Sequence, residues 1–102
     1  MFSGESELVR TMRLVESLKG DLVCGVGELY KALAESGAAR GKEALAEVVL
    51  RCYVLGRRLG IDFNALDEAV ARRVEALCAD QSELEMRFGD FSNLARHLRD
   101  KR

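Results

Sequence analysis

Three glutamates carry the chemistry this sequence could perform. Glu28 lies in "VCGVGELYKAL", residues 23–33, and Glu43 and Glu47 lie in "EALAEVVLRC", which starts at residue 43. The i, i+4 spacing puts Glu43 and Glu47 on one face of a helix. If that helix packs antiparallel to the one bearing Glu28, through a connection at 37–42, the three carboxylates can face one another. Converging carboxylates hold Mg²⁺, a hard cation that prefers oxygen and keeps waters beside a phosphate substrate. The same spacing also fits solvated charges, with Glu43 near a helix start and Glu47 paired with Arg51. Arginine outnumbers lysine twelve to four, which favours forked contacts and fixed ion pairs. Arg51, Arg58 and Arg72, with Arg57 and Arg73 beside them, are the candidates for binding phosphate. The competing reading is an ion-paired surface.

Other motifs carry less. Gly25-x-Gly27 lacks the third glycine of a dinucleotide loop and the Gly-Lys-Ser/Thr of a P-loop, and no strand precedes it. The two glycines, with Gly20, fit close helix contact better, because each costs about 1 kcal/mol inside a helix and needs an offsetting gain. Cys24, Cys52 and Cys78 show no metal-binding spacing and fit small buried residues in a reducing cytosol. His97 has no identifiable Ser or Cys partner, so packing or capping suits it better than catalysis.

The elements that must position these residues are all helical. Proline is absent, and apolar residues make up 48% and charged residues 32%, which suits amphipathic helices and excludes a disordered chain. The spacing of Leu8, Met12, Val15, Leu22, Val26, Leu29 and Leu33 predicts one long helix with a weak point at Gly20, ending near Ser36-Gly37. Residues 38–42 read as a short polar connection. A second helix follows from Glu43, with a stripe wide enough for burial on more than one side, and stops at Gly60. Asp62 caps a third helix, with Ile61 and Leu66 as a staple. Ser82-x-x-Glu85 gives a capping box for a short fourth, and Gly89-Asp90 precedes a last one. Residues 1–7 and 99–102 are expected to fray.

The expected architecture is an all-α helical hairpin with additional short helices, one domain over 1–102, completed by dimerisation. A net charge of −1 gives no basic field for nucleic acid or an anionic membrane. The run from Val54 to Arg73 superficially suggests a helix-turn-helix. However, Asp62, Asp67 and Glu68 would repel phosphates, so nucleic acid is not an expected partner. No signal segment or bilayer-spanning run is visible, so a cytoplasmic protein is expected.

"GELYKAL", followed after a gap by "EALAEVVLRCYVLGRRLGID", resembles the MazG-type all-α nucleotide pyrophosphohydrolases. Those proteins carry E-E-x-x-E on one helix and E-x-x-D on the next, then L-G-I-D, which here is Leu59-Gly60-Ile61-Asp62. The short MazG-like proteins are more similar still. Their E-x-x-x-G-D-x-S-x-L-x-R-H-L matches Glu85, Gly89, Asp90, Ser92, Leu94, Arg96, His97 and Leu98. The resemblance covers roughly residues 15–98.

It implies the MazG-like bundle, a possible nucleotide ligand, Mg²⁺ if any cofactor, and a homodimer or tetramer. It places Glu28 on the last glutamate of E-E-x-x-E and Glu47 on the aspartate of E-x-x-D. Cys24, Gly25 and Ala44 stand where the other acids would be, and Glu43 lies about 100° around the helix from the lost glutamate. The expectation is therefore a degenerate metal motif and weak or absent hydrolysis. The alternative is a non-catalytic homodimeric interaction module.

Overall fold

The computed structural model describes residues 6–101. Five helices follow one another: α1 (Glu7–Ser36), α2 (Ala38–Arg58), α3 (Phe63–Asp80), α4 (Glu83–Phe88) and α5 (Asp90–Asp100). No strand occurs among the described residues. The chain divides after Phe63 into two compact units.

The first unit is the α1–α2 hairpin. Ser6 caps α1, its hydroxyl accepting from the Val9 N–H at 3.1 Å. The helix begins at Glu7 and runs unbroken through Gly20. Residues 1–5, the rest of the stretch expected to fray, lie outside the described residues. The connection is shorter than the polar composition of 38–42 suggests. Ala38–Lys42 is already helical, and Gly37 alone makes the turn at φ 75°. A residue with a β-carbon is disfavoured there, so glycine permits a one-residue hinge.

The packing line also differs from the expected one. On α1 the half-buried side chains are Val15, Leu18, Leu22, Leu29 and Ala32, with buried Gly25 in the same line. Leu8, Met12, Val26 and Leu33, expected in it, are each more than half exposed. The 3–4 rhythm of contact runs through a glycine, which a hydrophobic pattern does not register. On α2 the matching line is Gly41, Ala44, Val48, Arg51 and Leu55. The helices run antiparallel. A β-carbon at Gly41 would meet Leu33 Cδ2 at 2.6 Å, and one at Gly25 would meet Arg51 and Val48.

At the end of α2 the Gly60 N–H bonds the Arg57 carbonyl and the Ile61 N–H bonds the Gly56 carbonyl. Gly60 sits at φ 90°, the left-handed stop expected of it. The Tyr53 and Phe63 rings meet edge to face at 5.8 Å, and the Arg57 guanidinium lies over Phe63.

The second unit, α3–α5, holds the two buried apolar side chains among the described residues, Val74 and Ala95. Ser82 caps α4 as expected, accepting from the Glu85 N–H at 3.3 Å. Glu85 does not complete the capping box. Its carboxylate turns forward and accepts from the Phe91 and Ser92 N–H groups at 2.8 and 3.1 Å, and from the Ser92 hydroxyl. It therefore serves the free donors at the start of α5, a better-matched charge than one more bond within α4. Those hydrogen bonds, with Ser92 foremost, hold its pKa below the ordinary carboxylate value. Gly89 takes the left-handed conformation that ends α4 and lets α5 begin at the next residue.

Candidate functional site

The hairpin decides where the glutamates go. One residue back from Leu22, Gly25 and Leu29 of the α1 packing line lie Asp21, Cys24 and Glu28. One back on α2 lie Glu43, Glu47 and Val54. A one-residue step is 100° of helix rotation, and in antiparallel helices the two rotations bring these positions to the same side. Glu28, Glu43 and Glu47 thus share one face of the hairpin. All three are exposed.

Sharing a face is not the same as forming a cluster. Among the described residues, no three His, Cys, Asp or Glu side chains form a group that could hold a metal ion. Glu47 is already engaged. Its Oε1 lies 3.2 Å from Arg51 Nη2, in an i, i+4 pair of the favourable orientation. The same guanidinium reaches across to α1, where Nη1 donates to the Asp21 carbonyl at 2.6 Å. Its path lies over Gly25, where an added β-carbon would come within 3.2 Å of Arg51 Nη1 and 3.5 Å of Arg51 Cδ.

The glycines separate accordingly. Gly25 is a site of close approach, as expected. Gly20 and Gly27 are not, because a β-carbon on either would meet nothing within 4 Å. The packing argument from glycine cost holds at one position of the three. Cys24 and Cys52 are exposed free thiols rather than buried ones, and Cys78 is half-buried. The cysteines follow helix register, and the register places the first two off the packing line.

The three arginines proposed for phosphate lie in different settings. Arg51 is committed to Glu47 and Asp21. Arg58 lines an open cleft of about 510 Å³ with Arg10, Arg13 and Ser17. Arg72 lies in the second unit, in a groove of about 340 Å³ between α3 and α5 with Glu75, Ala95 and Arg99. His97 is exposed in the last turn of α5, where a cation suits the helix end.

Two residues escaped the sequence reading. Arg51 was legible as a surface partner of Glu47 but not as the bridge to α1. The available signal was Gly25, which stands opposite Arg51 once the helices are laid antiparallel. Glu85 was legible as a cap, but of the wrong helix. Ser92, seven residues on and just inside the next helix, was the clue.

A sequence profile of the MazG-like family matches residues 8–91. No curated protein and no solved structure matches the chain. No helix among the described residues is long and apolar enough to cross a membrane.

Proposed function

The chain belongs to the MazG-like family, and from that premise we propose that it is a relative of the nucleoside triphosphate pyrophosphohydrolases with weak or no catalytic activity. The observation that carries this is the Arg51 bridge. Family chemistry needs several carboxylates free to share Mg²⁺ with a triphosphate. Here Glu47 is paired with a guanidinium, and Cys24, Gly25 and Ala44 offer no carboxylate. The residues do not fit a ready metal site.

The test is heat denaturation with nucleoside triphosphates, with and without Mg²⁺. Ligands that bind only the folded state raise the melting temperature. The expected result is no Mg²⁺-dependent rise with any nucleotide. A rise that needs Mg²⁺ and vanishes in Glu28→Ala and Glu47→Ala would overturn the reading.

A second reading, a homodimeric helical interaction module, is favoured by the opposite face of the hairpin. One residue forward from the packing lines stand Val23, Val26, Tyr30 and Leu33 on α1, and Leu45, Val49 and Cys52 on α2. By the same rotation they share one side. Val23 is 72% exposed and Tyr30 80%, while Val26, Leu33, Leu45 and Val49 are each about half exposed. A contiguous apolar patch of this kind marks an interaction surface. A second hairpin laid on it would make a four-helix bundle, which accounts for the width of the α2 stripe.

A further inference from the structure

We infer that the Arg51 guanidinium is a resident cation that keeps divalent metal off the Glu28–Glu43–Glu47 face, and that Gly25 is what gives it room. The inference rests on reading that face as the one where this family would hold its metal.

Three observations meet at one group. The guanidinium ties α1 to α2 across the packing line through Asp21 O at 2.6 Å, and pairs within α2 with Glu47 Oε1 at 3.2 Å. It is held rather than waving in solvent, with its side chain 32% exposed. It occupies the space over a buried glycine, and any side chain at 25 would start 3.2 Å from its Nη1. Gly25 and Arg51 therefore form a unit. A side chain at 25 would press on the guanidinium, which would have to shift to admit it.

The electrostatic consequence follows from charge and distance. A divalent ion approaching Glu47 meets a guanidinium already ion-paired with its Oε1 at 3.2 Å. It must either displace that group or bind beside it against repulsion. Displacement gives up an ion pair and an interhelical hydrogen bond together. Glu28 and Glu43, both exposed, would have to hold the ion without Glu47. Mg²⁺ is reluctant to shed water and gains little from so sparse a set.

The test uses Mn²⁺ as the probe, read by water-proton relaxation on the full chain with no nucleotide present. The expected result is no binding by wild type at millimolar Mn²⁺. Gly25→Glu combined with Arg51→Ala restores a carboxylate and removes the cation, and should tighten Mn²⁺ binding at least about tenfold. Arg51→Met alone removes the charge while keeping an unbranched apolar stem, and should give a smaller gain. Far-ultraviolet circular dichroism establishes that each variant is folded. If the double variant does not fold, Arg51→Met decides. Mn²⁺ binding by wild type overturns the inference. So does a folded variant, double or single, that binds no better than wild type. This readout is separate from nucleotide binding and turnover. A wild type that binds no Mn²⁺ yet shows a Mg²⁺-dependent nucleotide shift would sink the proposed function and leave this inference standing.

Discussion

The two units of the chain are built on opposite terms. In the α1–α2 hairpin the buried residues are glycines: Gly25, Gly41 and Gly56. The helices approach over bare backbone, an arginine bridges them, and a second apolar line on each helix is left exposed. In α3–α5 the buried residues are side chains, Val74 and Ala95, and the α4–α5 turn is fastened by Glu85. The smaller unit closes on itself, whereas the longer one makes a tight seam and leaves a face open. The difference separates a unit with its own buried side chains from one whose exposed apolar face is the proposed place for a partner.

The sharpest way to break this comparison is to charge the open face. Val26→Asp with Val49→Asp changes two side chains that are about half exposed in the chain alone. Surface changes of that kind leave an isolated hairpin within about 0.5 kcal/mol of its stability. In a homodimer they bury carboxylates, and the dissociation constant should rise at least about 100-fold. Sedimentation equilibrium reads the outcome. A wild type that is monomeric at every concentration would remove the need for a partner.

Val74→Ala addresses the closed unit. The side chain is 4% exposed, and two methyl groups with the space they leave amount to about 2 kcal/mol. Urea unfolding should show that loss with no change in association. A loss under about 0.5 kcal/mol would mean that α3–α5 has no core of its own.

Glu85 gives a pH-dependent measure of the same unit. Its carboxylate is lowered below the ordinary 4.5 by Ser92 and the backbone donors of α5. A depressed carboxylate adds stability above its unfolded pKa and loses it as pH falls through the folded value. Stability to thermal unfolding should therefore fall progressively below pH 4.5, and Glu85→Gln should flatten that decline. Glu83→Gln, at an exposed pair with Arg87, should not. Equal pH profiles for both variants would remove Glu85 from this role.

The smallest expected effect sharpens the account of the glycines. Gly20→Ala and Gly27→Ala meet no neighbouring atom, so each should stabilise α1 by about 1 kcal/mol. Gly25→Ala should not share that gain, because its new methyl presses on Arg51. Three equal gains would deny Gly25 its special place.

Helix existence and order were legible because charge, capping residues and apolar spacing agree along the chain. Gly60, Ser82 and Gly89 each mark the boundary their chemistry implies. The one-residue hinge was not legible, since Ala38–Lys42 has a loop's polarity and a helix's propensity at once. The seam was misplaced by one residue in part of α1, because its centre is Gly25 and its true member Leu18 lies beside Lys19. At the candidate site, spacing fixed which glutamates share a face. The pairing of Glu47 with Arg51 was legible from their i, i+4 spacing, but the reach of Arg51 to Asp21, 30 residues away, is contained in no local pattern. Some of the residues that carry the resemblance read from the sequence hold structure: Glu85, Gly89 and Ser92 form the α4–α5 junction.

The most direct test of the central claim is pyrophosphate release from the common nucleoside triphosphates by the purified chain over rising Mg²⁺. The expected result is release at or near the protein-free rate, unchanged by Glu28→Ala or Glu47→Ala. Mg²⁺-dependent release that either substitution abolishes would contradict it.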